Sequence, residues 1–425
     1  MKNKIFGVLL TLVLAVTGFG LVGCGGGNNP APGPGPEPAP EVSYDDDTTP
    51  VAIDETGLLF DLWTPEKMEE AGWEEEWTTD YNQAFVYAVT EEVVDLVIPA
   101  YVTDSENTYR VTWVSNLLFT IDNIDDYRDT GVFTGVNEFA LGIKTITIPS
   151  TVEGVNSISG YYSYQETQGD DESWVGEYYY LESLEAIILN NRTEEIDIYD
   201  CIWDWFEDYL EKEYPNGGDE DEYNELLEEF QGKFFTYDEE NDLYYLGNPG
   251  NPYMMLVRAG ETYFPGEELD EGEELVATVN EGCKIIGAWA FEGASLTGII
   301  VPDGLVTIGY GAFCDSVLKE ITLPEGLENI GGEAFNNCNN LEELVIPSTV
   351  KKLLYNCINT GYTNVLINSA ELIENDLIYK FERFYVLTEV CDDAIIGDSE
   401  GVHFEKTDSE VDGYNCYVFI NPFIR

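Results

Sequence analysis

Three stretches in the second half of the chain share one pattern of apolar and polar positions. They are LTGIIVPDGLVTIGYGAF from Leu296, LKEITLPEGLENIGGEAF from Leu318 and LEELVIPSTVKKL from Leu341. Each opens on an apolar row: Leu296/Ile299/Val301, Leu318/Ile321/Leu323 and Leu341/Leu344/Ile346. The last two positions of each row alternate, as on a strand with one buried face. Pro302, Pro324 and Pro347 end these strands, because proline has no N–H to give to a ladder. Leu305 and Ile308, matched by Leu327 and Ile330, then return to the core. The pairs Ala290-Phe291, Ala312-Phe313 and Ala334-Phe335 close the units. Gly287, Gly309 and Gly331 each follow an isoleucine, where a tight turn or a close backbone approach suits glycine. The prolines stand 22 and 23 residues apart, and a fixed period of that size predicts a solenoid.

The template recurs upstream in worn form. Ile143, Ile146 and Ile148 precede Pro149, and Val152 and Val155 follow. Leu184, Ile187 and Leu189 repeat the row with Asn190 in place of proline, and Val97-Ile98-Pro99 opens the series. After Tyr109, the run Val111-x-x-Val114 with Phe119 copies the spacing of Leu305-x-x-Ile308 with Phe313.

These units resemble the BspA-type leucine-rich repeats of bacterial surface proteins, which read roughly L-x-x-I-x-I-P-x-x-V-x-x-I-G-x-x-A-F-x-x-C. The resemblance covers about Val93 to Asn190 and Tyr245 to Ile367. It implies a mostly β fold, a leucine-rich-repeat solenoid with a parallel strand sheet, interrupted by a short helical acidic insertion. It also implies a secreted or surface-attached protein associated with adhesion to host proteins or other cells. No catalytic residue belongs to the motif. In such a solenoid the strands form one continuous sheet, and residues between the buried ones face outward. That makes Ile300, Lys319, Glu320, Thr322, Glu342, Glu343 and Val345 the candidate partner-binding face.

The amino terminus reads as an export signal. Lys2 and Lys4 precede an apolar run from Ile5 to Phe19, too short for a comfortable membrane span. Leu21-Val22-Gly23-Cys24 resembles the lipobox of bacterial lipoproteins, in which the cysteine thiol receives diacylglycerol. Cys24 is therefore the expected lipidation site and its covalent lipid the expected membrane anchor; no other cofactor is expected. The proline-rich run from Asn28 to Pro40 favours extended polyproline II, about 3 Å per residue, and would hold the next domain ~40 Å from the bilayer.

The expected organisation follows. Residues 1–23 are a lipoprotein signal peptide and 24–50 a Gly/Pro-rich and acidic linker. Residues 51–92 are an acidic N-terminal cap and 93–193 the first repeat block. Residues 194–244 are an acidic helical insertion, 245–370 the second repeat block and 371–425 a C-terminal β cap. Within the insertion, Trp205, Phe206, Tyr209 and Leu210, then Leu226, Leu227 and Phe230, recur at three- and four-residue spacings and predict two amphipathic helices. They read either as an insertion packed on the solenoid flank or as a partner-docking knob. The tyrosines Tyr161, Tyr162, Tyr164 and Tyr178 to Tyr180 supply contact area or cover the solenoid edge.

Charge narrows the partners. The 425-residue chain holds 83 acidic and 18 basic residues, a net charge of -65. Nucleic acid and anionic membrane surfaces need clustered cations, so neither fits as the main partner. Membrane contact is expected only through the lipid, and the partner is an extracellular protein or glycan. The single histidine, His403, excludes a His-based triad or multi-His zinc site. No C-x-x-C pair is present, so no metal site is assigned. Cys283 and Cys338 read as small buried hydrophobes, while Cys391 and Cys416 flank a C-terminal hairpin and could bridge. With so many acids, the proximity of two carboxylates carries little information. The reading is a binding and adhesion module and not an enzyme. Its rivals are a surface glycan hydrolase with acids in the insertion and a passive structural coat.

Overall fold

Each 22-residue unit of the second block contributes two short strands, and each kind stacks into its own parallel ladder. The computed structural model describes residues 45–420 apart from 74–78, 121–132, 169–170, 214–219, 266–272, 354–356, 358–363, 368–382, 388–404, 412–413 and the single positions 47, 80 and 157. Residues 1–44, with Cys24 and the proline-rich run, lie outside the described residues.

The first ladder joins Val276–Thr278, Gly298–Ile300 and Glu320–Ile321 in parallel. Gly298–Ile300 and Glu320–Ile321 are the strands predicted from the L-x-x-I-x-I row. The second ladder runs through Met255-Leu256, Ile285–Ile286, Thr307–Ile308, Asn329–Ile330 and Lys352–Leu353, also all parallel. Its register is fixed: Ile286 pairs with Ile308 and Ile308 with Ile330, a 22-residue offset each time. A single continuous sheet is therefore not what forms. The run Leu305-x-x-Ile308 does more than return to the core, because its last two residues build a second ladder on each coil.

The first ladder is also interrupted. Glu343–Ile346 pairs with Asn364–Ile367 in a separate sheet, which continues in parallel to Arg383–Leu387. It ends on the antiparallel strands Tyr414–Ile420 and Glu405–Val411. The break falls where the unit lengthens: Leu318 and Leu341 are 23 residues apart instead of 22.

Inside the coils, one side chain per unit forms a column. Phe291, Phe313 and Phe335 stack with ring centroids 5.4 and 5.3 Å apart and interplanar angles of 10° and 14°. All three are fully buried, flanked by the matching alanines and leucines of the same core. The glycine after each isoleucine answers to close approach: a Cβ on Gly331 would lie 2.5 Å from the Gly309 carbonyl carbon of the preceding coil.

The first block uses the same two ladders with longer coils. Asp95–Val97, Thr145–Ile148 and Ala186–Leu189 form the strand-row ladder. Trp113-Val114 pairs in parallel with Gly154–Val155, which bridges to Asp197. The extra length between rows is taken up by the hairpin Ser159–Gln168 with Asp171–Tyr180. Ahead of the block, Leu58–Trp63 and Gln83–Val89 form an antiparallel pair joined to Thr108–Val114, so the acidic N-terminal region extends the sheet over the first coil.

The insertion is helical, with helices Tyr199–Glu213 and Glu220–Phe234. Cys201, Ile202, Trp205, Phe206, Phe230 and Phe234 are buried in the same core as the first block. Phe206 stacks on Phe230 with centroids 4.4 Å apart, and Tyr180 meets Trp205 edge-on at 5.3 Å. These helices are thus packed against the first block by their aromatic stripe. Tyr180 joins that packing, while the side chains of Tyr161, Tyr162 and Tyr164 lie outside the described residues.

Cys201, Cys283, Cys314, Cys338 and Cys357 are buried. Burial pushes the Cys283 thiol up to about 12, which suits an inert core residue. Cys391 lies outside the described residues, so the Cys391–Cys416 bridge is not tested. Among the described residues no helix is long and apolar enough to cross a membrane.

Candidate functional site

The predicted strand face is where its residues open to solvent. Ile300 is 58% exposed and Val345 36%, and Lys319, Glu320, Thr322 and Glu342 are exposed as well. Glu343 is half-buried. The seven residues do not lie on one sheet: Ile300 and Glu320 belong to the first ladder, Glu343 and Val345 to the sheet beyond the break. Among the described residues, neither cavity described below is lined by any of them.

The larger cavity, about 870 Å³, lies instead along the second ladder. Its floor comes from equivalent places on successive coils: Met255, Val257 and Arg258, then Gly287 to Ala290, then Tyr310. The segment Glu195–Ile198, which links the first block to the insertion, supplies another part of the wall. Phe264, Trp289 and Tyr310 are each about 40% exposed, large apolar surface that an unliganded core would hide. The Trp289 and Tyr310 rings meet edge-on with centroids 5.0 Å apart.

Trp289 is held there against its own backbone preference. Its φ is 56°, in the left-handed region, which bulky side chains avoid. The same place on the next two coils is filled by Gly311 and Glu333, with φ of 58° and 57°. The coil geometry demands this conformation in every unit. Glycine meets it without strain, while tryptophan costs about 1–2 kcal/mol. Gly311 in turn leaves room for the indole, because a Cβ there would collide with the Trp289 ring.

Carboxylates surround these rings. Glu153, Glu195, Asp197 and Glu292 line the groove, with Arg258 as the cation among them. Arg258 stands over the Trp203 ring of the insertion at 5.7 Å. Glu195 is the unusual acid. Its carboxylate accepts from the Tyr310 backbone N–H at 3.2 Å, while its Oε1 is enclosed. Burial pushes it up to about 7; the Tyr310 and Ala288 amides and Arg192 pull the other way, and Asp197 adds to the rise. A folded pKa above the unfolded value near 4.5 means that Glu195 supports the fold fully below pH ~4.5. That support is lost as pH rises through about 7. Glu195→Gln, an isostere without the charge, should match the wild type at pH 4. At pH 8 it should be more stable by about 2–3 kcal/mol, as read by urea unfolding. Equal stability differences at both pH values would show that the buried charge carries no cost.

Among the described residues no three His, Cys, Asp or Glu side chains converge to hold a metal ion. The groove was not legible from the sequence, because it needs residues from coils 22 apart and from the linking segment at once. Its one available signal was an aromatic pair, Trp289 and Tyr310, standing just past the Gly287 and Gly309 positions of the template.

Parallel ladders at a 22-residue offset, an internal phenylalanine column and an open groove along one ladder define a leucine-rich-repeat protein. The family described as "BspA type Leucine rich repeat region" matches residues 276–380 in six copies, and this part of the chain is similar to that family. No curated protein matches the chain. Among solved structures, a leucine rich cell surface protein from Faecalibacterium prausnitzii is 15% identical, covering 68% of this chain and 69% of its own, with a TM-score of 0.19. The pneumococcal vaccine antigen PcpA is 13% identical over 75% of this chain and 82% of its own, with a TM-score of 0.27. A leucine-rich repeat protein from Bacteroides ovatus is 16% identical over 73% of this chain and 57% of its own, with a TM-score of 0.16.

Proposed function

We propose that this chain is a bacterial cell-surface lipoprotein, anchored through lipid on Cys24, whose repeats bind an extracellular protein or glycan without turning it over. The observation that carries the binding reading is the groove along the second ladder, where Trp289, Tyr310 and Phe264 are exposed among carboxylates. Aromatic faces with few flexible bonds give contact area at low entropic cost, both for sugar rings and for peptide side chains. The carboxylates add hydrogen-bond acceptors for hydroxyls or for a cationic side chain. The repeat motif brings no nucleophile or paired acid with it, which supports binding over catalysis. The lipobox at Leu21 to Cys24 supports the anchor.

Two measurements separate this reading from its rivals. The purified ectodomain is incubated with glycan and peptide arrays at ~0.15 M salt, where long-range charge effects are screened beyond about 8 Å. Retention without product is expected. Product release would make the protein a hydrolase, and no retention at all would make it a passive coat. For the anchor, Cys24→Ser should move the protein from the detergent phase to the soluble fraction or leave its signal peptide uncut. Unchanged partitioning would point to a different anchor.

A further inference from the structure

Lysines of this chain sit where an aromatic face and a carboxylate meet. Lys67 Nζ stands 4.5 Å over the Trp63 ring and 3.7 Å from the Asp61 carboxylate. Lys212 Nζ stands 5.2 Å over the Tyr180 ring and 2.8 Å from the Glu182 carboxylate. The ring face attracts the cation through its quadrupole, and the carboxylate adds a charge-assisted contact. The groove along the second ladder holds the same two kinds of partner, in Trp289 and Glu292.

These two residues are the ends of one turn, closed by the Glu292 N–H donating to the Trp289 carbonyl at 3.1 Å. Trp289 is 41% exposed and meets the Tyr310 ring edge-on, which leaves indole surface open to the groove. Among the described residues no cation stands over Trp289. The exposed Glu292 carboxylate has neither an ion pair nor a hydrogen bond among them. Arg258, the cation of the lining, stands 5.7 Å over the Trp203 ring of the insertion. Glu195 takes no part, because its carboxylate is enclosed against the Tyr310 amide.

A smaller cavity, of about 540 Å³, differs in that its polar groups are engaged within the chain. Ser150 and Asn191 donate to Asp46 and Asp45, and Asn251 donates to the Gly282 carbonyl. Arg192 donates to the carbonyls of Glu194 and Glu195, and Arg110 lies 4.0 Å from Glu153.

We infer that the groove docks a basic peptide segment of the partner, with a lysine side chain over Trp289 and beside Glu292. This rests on the groove being the binding site and names the chemistry of what enters it. Charge complementarity favours the peptide over a neutral sugar. A sugar hydroxyl would meet Glu292 as a neutral donor, whereas an ammonium makes a charge-assisted hydrogen bond roughly twice as strong. Asp197 and Glu153, also exposed in the lining, add to the negative wall. Phe264 and Tyr310 offer apolar surface to the aliphatic stem of the lysine. The net charge of -65 draws cationic partners from a distance as well. At about 870 Å³ the groove is larger than one side chain and has room for the flanking backbone.

Fluorine NMR of the full ectodomain labelled with fluorotryptophan tests this, with the Trp289 signal assigned by its loss in Trp289→Phe. The probe is a short peptide bearing two lysines among neutral residues, compared at ~0.15 M salt with a twin acetylated on both lysines. The lysine peptide should move the Trp289 signal saturably, and the twin should bind about tenfold more weakly. Glu292→Gln should weaken the lysine peptide by about tenfold with the melting temperature unchanged. Glu229→Gln, the same charge change at an exposed residue of the insertion, should leave binding as it is. Equal binding of the acetylated twin would overturn the inference in favour of apolar contact alone. Equal losses in the two glutamine variants would overturn it in favour of net charge alone, and an unmoved Trp289 signal would also overturn it. In each of these cases the groove itself is judged separately, by whether Trp289→Ala loses retention on the glycan and peptide arrays.

Discussion

Phe313→Ala is expected to destabilise the repeat core by about 3–5 kcal/mol. Phe313 is fully buried and has a ring neighbour on each side, Phe291 at 5.4 Å and Phe335 at 5.3 Å. Truncation removes the transfer free energy of the ring and opens a void in the middle of the column. The void cannot close by a local shift, because the coils above and below are tied by ladder hydrogen bonds. The Phe313 N–H donates to the Ala334 carbonyl at 2.8 Å and the Phe291 N–H to the Ala312 carbonyl at 2.8 Å. Coupling between neighbours is also expected. In a solenoid each unit leans on the next, so the loss should spread along the column. Denaturant unfolding checks this, and a loss under 1 kcal/mol would mean that the three rings do not form one packed column.

Leu344→Asp and Val345→Asp should differ by several kcal/mol although the residues are neighbours. Leu344 is fully buried and Val345 is 36% exposed, on opposite faces of the strand Glu343–Ile346. An aspartate at 344 places a carboxylate without a cation in an apolar row. It must either be protonated or stay charged in a low-dielectric core, and both are costly. An aspartate at 345 points to water and should shift stability by less than about 0.5 kcal/mol, the ordinary range of surface changes. Melting curves of the two variants provide the check. Equal losses would mean that the strand is shifted by one residue, because a one-residue slip exchanges its faces.

The repeat rows were readable from the sequence because their apolar positions fall on a fixed period and proline marks the end of each strand. The column of Ala-Phe pairs was readable for the same reason. The second ladder was not, because two residues such as Thr307-Ile308 carry no alternation of their own; the neighbouring coil makes them a strand. Trp289 was legible as an aromatic but not as an exposed one, since nothing local shows that its coil position takes a left-handed backbone. Glu195 was one of 20 acids between Glu194 and Asp242. Only its burial against the Tyr310 amide, more than a hundred residues away, sets it apart. The two insertion helices were legible from their spacing, and their aromatic stripe is buried in the first block's core.

The most direct test of the account compares partner retention by Trp289→Ala in the groove with retention by the strand-face pair Glu342→Lys and Glu343→Lys. Both are measured against the wild-type ectodomain on glycan and peptide arrays at ~0.15 M salt. If the groove is the binding site, Trp289→Ala should lose most of the retention, by tenfold or more, as expected of an aromatic hot spot worth about 2 kcal/mol. The strand-face pair should retain the partner nearly as well as the wild type. Undiminished retention by Trp289→Ala together with loss in the strand-face pair would contradict the account and return the binding site to the exposed face around Glu342 and Glu343.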